Sequence, residues 1–269
     1  MRAFGCVLAI SLALVACAEP PPDRETGATP RRVVSLNLCT DELLLLLADH
    51  EQIASLTHLA RREEEFPLWR EAQAYPVNDG TMASAVALRP GLLLTMGGSG
   101  DRLGIAARLG IATLDLPFPQ TLDDIATSSR GVATALGQEQ RGEALIDRID
   151  ALRRSAPHDS LDTLWIGSGG RTVAAEGLEA EWMALAGYRQ RPLGTDQVQL
   201  EELLARPPAV LLRSDYRQHQ YSRAQAWLTH PLVRTAQDRR TVATDGRRWT
   251  CMGPLLIDEI ERLRRERSA

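Results

Sequence analysis

The sequence predicts an α/β fold in which two lobes, each built on a parallel sheet, are joined by a single long helix and enclose a ligand cleft. Short apolar runs rich in β-branched residues alternate with helical patterns in residues 31–120 and again in residues 157–269. Such alternation is typical of parallel sheets that carry helices on both faces. Residues 121–156, between them, have helical patterns and no strand pattern. We therefore expect two Rossmann-like lobes with a helical connection.

In the first lobe, residues 31–120, strands and helices are expected to alternate along the chain. The predicted strands are Val33–Leu36, Ile53–Leu56, Leu92–Thr95 and Ile111–Leu116, and the predicted helices are Asp41–Ala48, Ala83–Leu88 and Arg102–Leu109. The second of these helices should end before Pro90, because a residue that precedes proline disfavours the α conformation.

The connection and the second lobe follow the same reasoning. Acidic residues after Thr121 favour a helix start, and Glu139–Ser155 has apolar residues at helical spacing, which predicts a rod of ~25 Å. In residues 157–269 the predicted strands are Thr163–Ile166, Ala209–Leu212 and Thr241–Thr244, and the predicted helices are Glu179–Ala186, Leu200–Ala205 and Leu255–Arg265. Ligands of open α/β sheets bind outside the carboxyl ends of the strands, so two facing lobes would form a cleft there.

The N-terminus predicts a lipoprotein signal peptide in residues 1–16. Arg2 is followed by an apolar run that is too short to cross a bilayer, which needs ~20 residues. The sequence from Leu14 to Cys17 resembles a bacterial lipobox, which implies cleavage before Cys17 and acylation of that cysteine. An ordinary secretory signal is the alternative. Residues 17–30 are rich in proline and would form the lipid anchor and tether of a periplasmic protein.

Composition excludes several function classes. The formal net charge of -4 and the pI near 5.8 give no reason to expect a nucleic-acid partner. All 31 basic residues are arginines, which excludes a P-loop lysine, a Schiff-base lysine and a Ser-Lys catalytic pair. The glycine run at Gly97 matches neither the G-x-S-x-G nor the G-x-G-x-x-G pattern, and no H-E-x-x-H or C-x-x-C motif occurs. We therefore expect a binding protein and not an enzyme.

Four residues are predicted to meet in the cleft: Cys39, His58, Trp249 and Cys251 follow predicted strands of the two lobes. Three interpretations stay open. The first is a disulfide between Cys39 and Cys251, which would tie the lobes together and hinder the entry of a large ligand. The second is a site in which the two thiolates and the His58 imidazole bind a soft metal or a metal complex. The third is contact with a ligand by packing alone.

Further ligand contacts are predicted in three loops. Gly97 and Gly98 follow a first-lobe strand and would let the backbone approach a ligand closely. Arg171 belongs to a similar glycine-rich run in the second lobe. Tyr216 follows a second-lobe strand and offers both a stacking face and a hydroxyl group.

The order of several short motifs resembles the class III periplasmic binding proteins, whose members carry iron-siderophores, haem or cobalamin. The motifs are Arg32–Leu36 followed by Asn37–Glu42, Ala87–Leu94, Leu109–Ile111, Thr244–Gly246, the Trp249 loop and the final helix. The resemblance implies lobes joined by one rigid helix, and docking on a permease through one acidic residue of each lobe, here Asp101 and Glu202. His58 stands where the cobalamin-binding members carry an aromatic residue.

The resemblance implies a substrate-binding lipoprotein of an ABC importer. It would capture a metal chelate, such as an iron-siderophore or a corrinoid, and deliver it to an inner-membrane permease driven by a separate ATPase. No intrinsic cofactor is expected, since the metal would belong to the ligand, and the protein should be a monomer. The alternatives are an extracytoplasmic thiol-dependent hydrolase that uses Cys251 and a ligand-sensing lipoprotein that serves no importer.

Overall fold

The chain forms an α/β structure with two separate parallel sheets. The structure is a computed structural model, and it describes residues 32–98, 100–167, 170–215 and 240–268. Within these ranges one sheet has five strands and the other has four, and every pairing between these strands is parallel. Within the described ranges, no helix is both long enough and apolar enough to cross a bilayer.

The five-stranded sheet forms the N-lobe, with the strand order β3-β2-β1-β4-β5. Its strands are β1 (Val33–Ser35), β2 (Ile53–Thr57), β3 (Val77–Asn78), β4 (Leu92–Met96) and β5 (Ala112–Leu116). Its helices are α1 (Leu38–Leu47), α2 (Trp69–Ala72), α3 (Met82–Ala87) and α4 (Gly100–Arg108), with two 3-10 helices, His50–Gln52 and His58–Arg61. The central strands are buried on both faces, as their uninterrupted apolar sequence requires.

The four-stranded sheet forms the C-lobe, with the strand order β7-β6-β8-β9. Its strands are β6 (Leu161–Ile166), β7 (Tyr188–Gln190), β8 (Val210–Asp215) and β9 (Arg240–Asp245). Its described helices are α7 (Leu178–Leu185), α8 (Leu200–Ala205) and α9 (Leu256–Ser268). Trp182 and Tyr188 are the largest side chains of its core that are fully buried.

Two helices connect the lobes, α5 (Leu122–Leu136) and α6 (Glu139–Arg154). Helix α6 is the predicted rod. Gly137 ends α5 in a left-handed conformation that suits glycine, and the chain turns back into α6. Each helix has apolar residues in both lobes: Ile125 and Leu152 pack in the C-lobe core, and Leu136 packs in the N-lobe core. The lobes therefore share a packed helical pair.

Two short strands and the start of α1 differ from the sequence prediction. β3 and β7 are only two and three residues long, so they carry no readable alternation. Helix α1 begins at Leu38, before the predicted Asp41, because the Asn37 side chain accepts a hydrogen bond from the Cys39 backbone N–H at 2.8 Å. Cys39 consequently lies in the first turn of a helix.

Candidate functional site

The carboxyl ends of the two sheets face each other across a disulfide bond between Cys39 and Cys251. Cys39 follows β1 of the N-lobe and Cys251 follows β9 of the C-lobe, and their Cα atoms are 5.2 Å apart. Because all strands of each sheet are parallel, the loops that follow the other strands lie along the same two edges. The bridge therefore identifies the edges that form the walls of the cleft.

The disulfide decides between the three interpretations of the cysteines. Both sulfur atoms are covalently bonded to each other, so neither is a thiolate, and metal binding by Cys39 and Cys251 is wrong. No group of three or more metal-ligating side chains occurs among the described residues. His58 is exposed at the start of its 3-10 helix. The hydrolase hypothesis loses its nucleophile for the same reason, since Cys251 has no free thiol.

The bridge lies beside the first of the two connecting helices. A small apolar cavity beside Cys39 and Cys251 is also lined by Ile125 and Ser128 of the connecting helix α5. The covalent link therefore reinforces the side of the two lobes that the helices already hold, and its effect on the entry of a large ligand stays a prediction.

Polar contacts accompany the bridge across the lobes. The Glu42 carboxylate of α1 accepts a hydrogen bond from the Leu255 backbone N–H at 2.9 Å, and it packs against Gly253, where a Cβ would overlap its Oε1. Arg247 donates a hydrogen bond from Nη1 to the Glu63 carbonyl oxygen at 2.6 Å. Leu255 packs in the N-lobe core although it belongs to the C-lobe sequence. The lobes are thus held in one relative orientation.

Burial affects the protonation of two carboxyl groups in α1. Desolvation raises the pKa of Glu42 to about 7, against the lowering effects of the Leu255 N–H and the Arg248 charge. Desolvation likewise raises the pKa of Asp41 to about 6. Asp41 accepts hydrogen bonds from the Thr57 backbone N–H at 3.0 Å and the Thr57 hydroxyl at 2.5 Å. These bonds fasten the end of β2 to α1 and so place the loop that carries His58.

The C-lobe wall contains a cavity of about 390 Å³. Its lining includes Trp165, Arg171, Val173, Trp249, Thr250 and Met252. Trp249, predicted as a ligand contact, is only 4% exposed, and its Nε1 donates to the Thr244 hydroxyl at 2.8 Å. Its ring meets the Trp165 ring edge-on, with the centroids 6.3 Å apart. Trp249 therefore supports the wall, and Trp165 forms more of its surface.

Trp165 lies at the end of β6 against a glycine. A Cβ at Gly167 would come within 2.7 Å of the Trp165 ring, so the glycine makes room for the indole. The Trp165 backbone N–H donates to the Gln190 side chain at 2.9 Å, whereas the indole Nε1 has no hydrogen-bond partner among the described residues. The wall therefore presents an aromatic face whose indole N–H is buried behind it.

Gly97 and Gly98 of the N-lobe wall make room for side chains of the protein itself. Gly97 has a φ of +62°, and a Cβ there would overlap the Phe118 ring. A Cβ at Gly98 would come within 2.6 Å of the Asp115 carboxylate, which accepts a hydrogen bond from the Gly98 N–H at 3.1 Å. The structure thus accounts for both glycines by close approach within the lobe.

The remaining predicted residues are scattered. Arg171 is highly exposed at the cavity and pairs with Asp196 at 2.8 Å. Glu202 of α8 already pairs with Arg206 at 2.9 Å, within its own lobe. Docking through Glu202 stays a prediction. Asp101 lies in the first turn of α4, and its side chain is outside the described part of the structure.

Tyr216, Cys17 and the rest of residues 1–31 also lie outside the described residues. Sequence reasoning missed Trp165 and Phe118. Both could have been selected by the rule that selected Gly97 and Gly98, namely that ligands bind outside the carboxyl ends of strands. Each of the two aromatic residues stands at the carboxyl end of a predicted strand. Phe118 carried a further signal, since it stands between Pro117 and Pro119.

No protein-family model matches the sequence, and no curated protein has a significantly similar sequence. The structure, in contrast, is similar to solved periplasmic binding proteins. The haem-binding protein HutB of Vibrio cholerae superposes with a TM-score of 0.71 at 18% identity, over 89% of this chain and 99% of HutB. The chain has the fold of the class III periplasmic binding proteins.

Two further solved structures share this fold at low identity. The vitamin B12 binding protein BtuF of Vibrio cholerae matches with a TM-score of 0.63 and 18% identity, over 88% of this chain and 96% of BtuF. The haem-binding protein RhuT of Roseiflexus sp. RS-1 matches with a TM-score of 0.65 and 22% identity, over 87% of this chain and 98% of RhuT.

Proposed function

We propose that the chain is the substrate-binding lipoprotein of an ABC importer, which captures a metal chelate in the cleft and delivers it to a membrane permease. The single observation that carries the proposal is the disulfide between Cys39 and Cys251, which brings the carboxyl edges of the two sheets together beside an aromatic-lined cavity. Similar structures bind haem or vitamin B12, and both are metal-containing ligands.

The chemistry of the wall favours a ligand with a large apolar face. Trp165 supplies a partly exposed ring, and Val173 and Met252 add apolar surface. The metal would arrive within the ligand. The candidates are haem, a corrinoid and a ferric siderophore.

The proposal includes export and a lipid anchor on Cys17. An intramolecular disulfide that closes 212 positions supports export, because such bridges persist in the periplasm and are rare in the reducing cytosol. Residues 17–30 would then tether the two-lobed domain to the membrane. The permease and its ATPase are the proposed partners, and the protein would act as a monomer.

The first test uses the intrinsic tryptophan fluorescence of the full chain, extracted in detergent. Hemin, cyanocobalamin and ferrioxamine B are titrated separately, and we expect one of them to quench the fluorescence in a saturable way. Substituting Trp165→Phe should reduce the amplitude of that quenching, because the ring lines the cavity. If none of the three chelates gives a saturable response, the proposed function is wrong.

A second test separates transport from ligand sensing. A strain that lacks the protein should take up the bound chelate more slowly, and the chain should co-purify with a permease and its ATPase from its own cells. Unchanged uptake in the deleted strain, together with retained ligand binding, would favour a sensor that serves no importer.

A further inference from the structure

Phe118 is an aromatic side chain that the N-lobe core does not use. It is 60% exposed, which is the highest value among the large hydrophobic side chains of the described residues, and it is the only aromatic one among those that are exposed. Single exposed apolar residues are ordinary in proteins, so exposure by itself indicates nothing. The surroundings of Phe118 are what set it apart.

The backbone on both sides of Phe118 is restrained. Pro117 and Pro119 have fixed φ angles, and Pro119 also disfavours the α conformation at Phe118. The ring lies on Gly97, which has a positive φ and no space for a Cβ. The position of the ring therefore depends on three residues whose types are restrictive.

The support beneath the ring is also fixed. The Gly97 N–H donates to the Leu116 carbonyl at 2.8 Å, which continues the pairing of β4 with β5. The Asp115 carboxylate accepts hydrogen bonds from the Thr95 hydroxyl and from the Gly98 N–H. The ring is consequently held in place on a rigid sheet edge, so little side-chain entropy remains to be lost when it meets a ligand.

Phe118 lies at the edge of the N-lobe that faces the C-lobe. Its neighbour Pro119 lines the small cavity beside the Cys39–Cys251 bridge, and Thr250 and Met252, which flank Cys251, line the C-lobe cavity. A short path of adjacent residues thus joins Phe118 to the cavity wall.

We propose that Phe118 is a specificity-determining residue that receives an apolar or π-conjugated face of the ligand on the N-lobe side of the cleft. This inference rests on the proposed function. It assigns an aromatic contact to the loop that follows β5, beside the contact predicted for His58 after β2. A preorganised ring increases the affinity for the ligand, although it adds nothing to the stability of the fold.

The test compares Phe118→Ala with Phe118→Tyr and with Leu109→Ala in the full chain. Leu109 is 54% exposed in the same lobe but lies near the amino end of β5, on the opposite edge of the sheet. The probe is whichever of hemin, cyanocobalamin and ferrioxamine B the unsubstituted protein binds. Phe118→Ala should weaken binding about tenfold, whereas Phe118→Tyr and Leu109→Ala should leave the Kd unchanged.

The outcomes separate the two proposals. An unsubstituted protein that binds none of the probes overturns the proposed function, and this inference with it. A Phe118→Ala protein that binds as tightly as the unsubstituted one overturns the inference alone, and so does equal weakening by Leu109→Ala. If Phe118→Ala does not fold, Phe118→Leu replaces it: unchanged affinity contradicts a ring contact, and weakened affinity with an unchanged denaturation midpoint supports it.

Discussion

The two walls of the cleft hold an aromatic ring in the same way but use it differently. In each lobe a glycine at the end of a strand makes room for a ring: Gly97 for Phe118 and Gly167 for Trp165. Trp165 is half-buried and packs edge-on against buried Trp249, so it belongs partly to the C-lobe core. Phe118 is mostly exposed and does not belong to its lobe's core. The comparison separates a ring that lines the cavity and also supports the fold, Trp165, from a ring that leaves the fold unsupported, Phe118.

The link between the two walls should give the largest effect. Replacing both cysteines, Cys39→Ser with Cys251→Ser, should lower the free energy of unfolding by on the order of 4–5 kcal/mol, because the bridge closes a very long loop in the unfolded chain. Denaturant unfolding of the double variant and of the unsubstituted protein, each with and without a reductant, measures this loss of free energy. Identical midpoints in all four samples would show that the walls are not joined by this bond.

The buried carboxyl group between the walls should make stability depend on pH. Glu42 has a raised pKa of about 7, so the folded protein retains a proton that the unfolded chain loses near the ordinary value of 4.5. The free energy of unfolding should therefore fall as the pH rises from about 4.5 to about 7. Glu42→Gln keeps an acceptor for the Leu255 N–H and removes the charge.

Above pH 7, Glu42→Gln should raise the free energy of unfolding by on the order of 3 kcal/mol at most. This gain should vanish towards pH 4, where Glu42 is protonated in both states. Unfolding curves of both proteins between pH 4 and pH 8 are the measurement. Asp41, whose pKa is also raised, should leave a weaker dependence of the same sign in the variant. Parallel curves for the two proteins would mean that Glu42 is ionised without cost.

The two rings themselves should respond differently to removal. Trp165→Ala should destabilise the protein by ~2–4 kcal/mol, because it leaves a cavity beside Trp249. Phe118→Ala should change the free energy of unfolding by no more than ~0.5 kcal/mol, because the ring is mostly exposed. Thermal and denaturant unfolding of both variants measures the two changes in the free energy of unfolding. Equal losses of stability in the two variants would remove the distinction between the walls.

The glycine beneath the N-lobe ring gives a smaller effect. Gly97→Ala should cost ~1–2 kcal/mol, since a residue with a Cβ is strained at a φ of +62°. It should also displace the Phe118 ring, so ligand affinity should fall as it does for Phe118→Ala. Gly104→Ala is the control, because a Cβ there meets no atom. Unchanged affinity in Gly97→Ala would show that the position of the ring is unimportant.

The smallest effect is expected at the exposed ion pair of the C-lobe wall. Arg171 and Asp196 are each 64% exposed, so water screens their attraction. Arg171→Gln should leave the denaturation midpoint unchanged, and any loss of ligand affinity would then report a direct contact with the ligand. A clear shift in the midpoint would contradict this account of the pair.

Most strands and helices of the two lobes could be predicted from the sequence, because apolar strands and helix ends have local signals. Gly137, which ends α5, is an example of such a helix end. β3 and β7 were not predictable, since two or three residues carry no period. The cysteine pairing stayed open because 212 positions separate Cys39 from Cys251, and no local rule measures that distance. The rings of Phe118 and Trp165 were missed although both stand at the carboxyl ends of predicted strands, because the sequence does not show that Gly97 and Gly167 make room for them.

The most direct test of the account is native mass spectrometry of the full chain, isolated in detergent from its own cells. We expect a lipid-modified protein that retains the Cys39–Cys251 bridge and carries one metal chelate, which dissociates as an intact small molecule. A population with free thiols and no bound molecule, even from cells supplied with haem, cobalamin and ferric siderophores, would contradict the account.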